Sequence, residues 1–263
     1  MTYRVVIPAR YGSSRLPGKP LLRLLDRPML EWVYRRVRCS QAREIIIATD
    51  DERIVQAAHA FGATALLTAA THSCGTDRIA EVARRQGWED ADVVVNVQGD
   101  EPLMPAALID QVAAALAGSA ADIATLATPI ETLAELLDPN VVKVVTDMRQ
   151  RALYFSRAPI PWARDGAAAA REGPAAGLPS HRCHAGARRH LGIYAYRVAA
   201  LTRMASMPPS SLELIERLEQ LRALENGLTI CIADAVQVPG ADVNTAADIP
   251  AVEALLAIDA DRA

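Results

Sequence analysis

The chain has no paired cysteines. Cys39, Cys74, Cys183 and Cys231 are scattered with no CxxC spacing, which argues against a zinc ribbon or disulfide scaffold and for reduced thiols in a cytosolic protein. No apolar run approaches the roughly 20 residues that span a bilayer. The first residues read as a charged strand, not as the basic and apolar regions of a secretory leader. A soluble cytoplasmic protein without a membrane partner is therefore expected. Positive charge is not in excess either: the formal net charge is −3 and the pI is near 6.0, so the broad basic face of a general nucleic-acid binder is not expected. No GxGxxG follows the first strand, which disfavours a dinucleotide-binding module. No Ser/His/Asp or Cys/His nucleophile arrangement is identifiable, and no internal repeat is evident. The 263 residues, 51% of them hydrophobic, suffice for one large α/β domain or two small ones.

What is present begins at the amino end. The apolar run Arg4–Ala9 (RVVIPA) passes into Arg10-Tyr11-Gly12-Ser13-Ser14-Arg15-Leu16-Pro17-Gly18-Lys19-Pro20. Arg10, Arg15 and Lys19 place three positive charges on a loop too rich in Gly and Pro to be helix. Such a loop at a strand end suits polyphosphate, because backbone N–H groups and cations meet its oxygens together. It is not a P-loop. Five residues separate Gly12 from Gly18, and Pro20 follows Lys19 where a P-loop has a metal-holding Ser or Thr. Any metal must be held elsewhere.

Strand-like and helical runs then alternate. Strands are predicted over Val5–Ala9, Glu44–Thr49, Ala63–Thr68 and Asp92–Val97, and helices over Met29–Val37, Asp51–Phe61 and Arg78–Arg85. The order implies right-handed βαβ units on one open sheet, with ligands at the carboxyl ends of the strands. The second half reads as a mixed extension, with strands over Val141–Thr146, Ala152–Ser156, Leu191–Tyr196 and Thr229–Val238. Helices are predicted over Ser211–Asn226 and Ala246–Ala257. The segment Ala163–Arg188, rich in Ala, Gly, Pro and Arg, reads as a surface lid or as a plain insertion.

Four further places carry chemistry. Asp100 and Glu101 follow the most β-branched strand, where a carboxylate facing polyphosphate is a natural Mg²⁺ ligand; a turn-forming Asp looks the same. Asp51 reads as a helix cap, and Asp50 as either a ribose ligand or a cap. The turn from His72 to Arg78 offers Ser73, Thr76 and Arg78 to a base or phosphate, or starts a helix with Thr76 as its cap. Glu213, Glu216 and Gln220 share one helical face that can hydrogen-bond a polyol or be merely solvated. Arg157 and His190, at strand ends, suit a carboxylate or hydroxylated substrate, although surface Arg is the plain reading.

Together VIPARYGSSRLPGKPL, ATDD, HSCGTDRIAEV, VVNVQGDEP, NVVKVV, ALYFSRAPIPW, RHLGIYAYR and SLELIERLEQLR closely resemble the 3-deoxy-manno-octulosonate (Kdo) cytidylyltransferases. The resemblance covers nearly the whole chain except Ala163–Arg188. It implies a Rossmann-like α/β nucleotide-diphospho-sugar transferase fold, with a mostly parallel mixed sheet and helices on both faces. Residues 1–120 would mainly bind CTP, 121–245 would mainly bind the sugar and form a homodimer, and 246–263 would form a closing helix. It implies CTP and Kdo as substrates, Mg²⁺ as cofactor and a place in lipopolysaccharide biosynthesis. Carried over by motif, Arg10, Lys19 and Asp100 are catalytic. Ala9, Arg10, Ser13, Arg15, Lys19, Asp50, Ser73, Gly75 and Arg78 bind the nucleotide. Gln98, Arg157, His190, Tyr194, Glu213, Glu216 and Gln220 bind the sugar, and Asp100 and Asn244 bind the metal. Two departures stand out. The family's last metal turn carries a carboxylate where this chain has Asn244, which predicts weaker magnesium binding. Cys74 replaces the usual Ser, which predicts sensitivity to thiol reagents.

Overall fold

The six residues Arg4–Ala9, with the β-branched Val5, Val6 and Ile7 among them, form strand β1 inside the main sheet. It runs parallel to β4 (Glu44–Thr49) on one side and to β6 (Val93–Asn96) on the other. The computed structural model describes residues 2–12, 16–72, 74–163, 186–243 and 245–260. A short hairpin joins β2 (Arg23–Leu24) to β3 (Arg27–Pro28). The remaining strands are β5 (Thr64–Leu67), β7 (Ile123–Pro129), β8 (Lys143–Thr146), β9 (Ala152–Ser156), β10 (Arg188–Arg197) and β11 (Ile230–Asp234). The main sheet follows the order β11-β7-β10-β6-β1-β4-β5, with β8 and β9 attached beside β10. The β6-β1-β4-β5 half and the β7–β11 pair are parallel; β10 is antiparallel to both β6 and β7. The expected mostly parallel mixed sheet is thus the observed one.

Both faces of the sheet are covered, which is why its central strands read as unbroken apolar runs. Val5 and Ile7 point to one face, Val6 to the other, and none of the three is exposed. The first face packs on α1 (Met29–Arg38), α2 (Glu52–Ala60) and α4 (Ala106–Ala117) through Leu30, Val33, Ile54, Leu108 and Val112. The second packs on α3 (Gly75–Arg85) and the Val198–Ser206 helix through Ile79, Val82 and Leu201. Each fully buried side chain of this size contributes about 1.5–3 kcal/mol by leaving water. The closing helix, Ile249–Ala260, lays Val252 and Leu256 on Met29, Trp32, Leu103 and Val243. None of the described helices is long and apolar enough to cross a membrane.

Three local expectations change. The single helix over Ser211–Asn226 is two, Ser211–Glu216 and Gln220–Glu225, because Arg217 takes the left-handed conformation (φ 56°, ψ 45°) and ends the first. Glu213, Glu216 and Gln220 therefore do not share one helical face. Helix α3 is capped by Cys74, whose Sγ accepts from the Asp77 N–H, and not by Thr76. No element is predicted between 103 and 140, yet α4, β7 and the Leu133–Leu137 helix lie there. Asp51 caps α2 as expected, accepting from the Arg53 N–H. Most of the Ala163–Arg188 segment lies outside the described residues.

Candidate active site

A cavity of about 470 Å³ opens at the carboxyl ends of β1 and β6. Pro8, Ala9, Arg10 and Gly12 line it from β1 and its loop, and Gln98, Gly99 and Asp100 from the turn after β6. These two turns touch because position 99 is a glycine: a Cβ there would sit 3.0 Å from the Pro8 carbonyl. The cationic loop folds back on itself through Gly18, whose φ of 70° favours glycine and whose N–H donates to the Tyr11 carbonyl at 3.0 Å. This return delivers Lys19, 9% exposed, to the cavity wall. Its Nζ donates to Asp100 Oδ2 at 2.6 Å. The Tyr11 ring lies under the Arg53 guanidinium, 3.4 Å from ring centroid to cation, which steadies the base of the loop.

Gly75 and Arg78 line the opposite wall. Arg78 is fully buried. Its Nη1 donates to Thr68 Oγ1, its Nη2 pairs with Asp50 Oδ2 at 2.8 Å, and its buried Nε has no partner. Asp50 is therefore the counter-ion of Arg78 and caps no helix. Ser13, Arg15 and Ser73 lie outside the described residues.

The acidic side of the cavity is layered. The Asp100 side chain is 37% exposed. Glu101 turns inward: its Oε2 is buried without a partner, and burial, then Asp242 and Asp100, push its pKa well above the usual carboxylate range against the pull of Lys19. The last turn is tied to this place by the Val243 N–H, which donates to the Asp100 carbonyl at 3.2 Å. Gly240 packs on Leu103, so closely that a Cβ would come within 2.5 Å of the Leu103 Cβ. Asn244 lies outside the described residues. Among the described residues no cluster of three or more His, Cys, Asp or Glu could hold a metal. The donor set still fits Mg²⁺, which takes one or two carboxylates and completes its shell with substrate phosphate and water.

Of the residues expected at the sugar, Gln98 lines this cavity and the others do not: His190 and Tyr194 lie on β10, which runs past the end of β6, Arg157 follows β9, and Glu213, Glu216 and Gln220 lie on the two helices between 211 and 225. His190 is half-buried, with its Nε2 3.0 Å from Thr125 Oγ1 and its ring edge-on to Phe155 at 5.0 Å and tilted against Tyr194 at 5.2 Å. Desolvation pushes its pKa down to about 3. The Thr125 hydroxyl lies nearest to the Ile193 carbonyl, at 2.7 Å, and has one proton to give. It then accepts from Nε2–H, which leaves Nδ1 as the acceptor nitrogen. Burial raises the Tyr194 phenol well above its usual range. Glu213 closes the Ser210 capping box and holds the buried Arg222 in a fork at 2.8 and 2.6 Å. Glu216 holds Ser156 and Arg157, and Gln220 is 8% exposed. Sequence reasoning missed Arg222 and Lys143. The single Lys inside the apolar run VVKVV was the available signal for the last.

A polyphosphate-type cationic loop and a carboxylate facing one cavity, at the carboxyl edge of a Rossmann-like sheet, define a nucleotidyltransferase. The cytidylyltransferase family model matches residues 4–230. The chain is 53% identical to the 3-deoxy-manno-octulosonate cytidylyltransferase of Thioalkalivibrio sulfidiphilus (strain HL-EbGR7), over 97% of this chain and 99% of the relative. It is 53% identical to that of Cellvibrio japonicus (strain Ueda107), over 98% and 99%. A solved structure of CMP:2-keto-3-deoxy-manno-octonic acid synthetase complexed with CTP superposes with a TM-score of 0.85 at 40% identity, over 98% of this chain and all of that one. The chain belongs to the cytidylyltransferase family.

Proposed function

We propose that the chain transfers CMP from CTP to Kdo, giving CMP-Kdo and pyrophosphate for lipopolysaccharide biosynthesis. The observation that carries this is the Lys19–Asp100 pair, which sets a cation and a carboxylate side by side on the wall of a nucleotide-sized cavity. Arg10, Arg15 and Lys19 bind the triphosphate and neutralise charge as pyrophosphate leaves. Ala9, Ser13, Ser73, Gly75 and Arg78 shape the nucleotide site, and Asp50 serves it by holding Arg78. Asp100 and Asn244 hold Mg²⁺, which when bound polarises the α-phosphate and lowers the pKa of the attacking hydroxyl. Gln98 lies between nucleotide and sugar. The C2 hydroxyl of Kdo attacks the α-phosphorus in line with the leaving pyrophosphate, so the protein contributes position and charge and no nucleophile. Arg157 takes the sugar carboxylate, and His190, neutral at physiological pH, accepts from a sugar hydroxyl at Nδ1. Tyr194, Glu213, Glu216 and Gln220 shape that pocket.

The chain acts as a homodimer. Met148 (98% exposed) and Leu153 on the β8–β9 hairpin and Ile215 on the Ser211–Glu216 helix are exposed apolar side chains that a second copy could cover; a mass of one chain by light scattering would count against this. The reaction is tested by mixing CTP and Mg²⁺ with Kdo, 8-amino-Kdo or sialic acid and identifying the products by mass spectrometry. CMP-Kdo is expected. A CMP conjugate formed with either other acid but not with Kdo overturns the assignment.

A further inference from the structure

Lys143 is fully buried in β8, between the apolar residues of VVKVV. An ammonium has three N–H donors, and each finds a backbone carbonyl: Asp138 at 2.9 Å, Val141 at 2.7 Å and Arg157 at 2.5 Å. Desolvation by burial lowers its pKa, opposed by the nearby Asp138 and Glu216 charges. A site that needed only volume would do as well with an apolar side chain. What the cation adds is a joint between two segments, the 138–141 turn and the end of β9.

Arg157 is gripped from the other side by Glu216. Its N–H donates to Glu216 Oε2 at 2.9 Å, while Ser156 Oγ donates to Oε1 at 2.6 Å. The Arg157 side chain is also aimed: Nε donates to the Glu216 carbonyl at 2.8 Å and Nη1 to the Pro139 carbonyl at 2.9 Å. Pro139 lies in the turn that Lys143 holds. The Arg157 backbone is thus held at its carbonyl by Lys143 and at its N–H by Glu216, and two of its five side-chain donors are held by the Glu216 and Pro139 carbonyls, which leaves the outer guanidinium edge for a planar, bidentate acceptor.

We propose that Lys143 and Glu216 are positioning residues of the sugar site, which set the angle of the Arg157 guanidinium toward the sugar carboxylate without touching the substrate. This rests on the proposed role of Arg157. Glu216 then acts through Arg157 and not as a sugar ligand.

The test is steady-state kinetics on the intact protein with Lys143→Met, Arg157→Ala and the double variant, each checked for folding by circular dichroism and thermal melting. In Lys143→Met the KM for Kdo rises about 10-fold while the KM for CTP stays within about 2-fold, because one misaimed charge-assisted contact is lost. The double variant has the same KM for Kdo as Arg157→Ala alone, since Lys143 has nothing left to position. Parallel rises in both KM values, or effects that multiply in the double variant, overturn the proposal. If Lys143→Met does not fold, Glu216→Gln carries the same expectations and the same refutation. An unchanged KM for Kdo in Arg157→Ala overturns the role of Arg157 itself, and the positioning role with it. A rise in Arg157→Ala with none in Lys143→Met or Glu216→Gln overturns the positioning role alone.

Discussion

Asp50→Asn removes one charge from a buried pair and leaves its volume in place. Arg78 is 0% exposed and the Asp50 side chain 17% exposed, 2.8 Å apart. Deleting one partner of a buried pair typically costs about 3–5 kcal/mol. Here the cost is reduced, because Asp50 reaches solvent and Thr68 still holds Nη1, so about 2–3 kcal/mol is expected. For a chain of this size each kcal/mol lowers Tm by roughly 2–4 °C, which gives a drop of about 4–12 °C. Arg78 also lines the cavity, so its displacement should raise the KM for CTP more than that for Kdo. Differential scanning calorimetry and initial rates at varied CTP measure both. A Tm within about 1 °C of wild type, with an unchanged KM for CTP, would refute the claim that Asp50 holds Arg78 in place.

Four other outcomes are expected. Gly240→Ala forces Leu103 aside and should cost about 1–3 kcal/mol in urea unfolding, with a higher Mg²⁺ requirement because the last turn is bonded to Asp100; an unaltered unfolding midpoint speaks against it. Asn244→Asp supplies the missing carboxylate and should lower the Mg²⁺ concentration for half-maximal rate; an unchanged metal dependence sinks the idea. His190 has a pKa of about 3 in the folded chain against an ordinary 6.5. Its contribution to stability is complete above pH 6.5 and is lost as pH falls toward 3, because only the unfolded chain takes up the proton. His190→Gln should flatten stability across that window, and a profile parallel to wild type contradicts this. The thiol sensitivity that Cys74 suggests is opposed by its surroundings: burial, then Glu219, push the thiol up to about 12. Iodoacetamide at neutral pH should modify exposed Cys39 well before Cys74, and equal rates would show the burial argument to be wrong.

The parallel half of the sheet was legible because its strands are buried on both faces, so VVIPA, EIIIAT and VVVN stand out as β-branched runs between helices. Strand β7 was not: IATLATP is largely Ala and Thr, and its burial comes from β10 and β11, which arrive later in the chain. The split at Arg217 was equally hidden, since SLELIERLEQLR keeps a helical apolar period across the break. That the cationic loop and Asp100 would face one cavity was legible because they lie on neighbouring strand ends, within reach of a local motif. The residues expected at the sugar are held by tertiary pairings such as Arg222 with Glu213 and Lys143 with the Arg157 carbonyl, whose partners sequence spacing does not show.

Pyrophosphate release from CTP in the presence of Kdo and Mg²⁺, wild type against Asp100→Asn, is the most direct measure of the central claim. The wild-type chain should release pyrophosphate only when CTP, Kdo and Mg²⁺ are all present. Asp100→Asn, folded and still able to bind CTP, should release it at least about 10²-fold more slowly. Release by the variant at the wild-type rate, or release by the wild type without Kdo, would contradict the account.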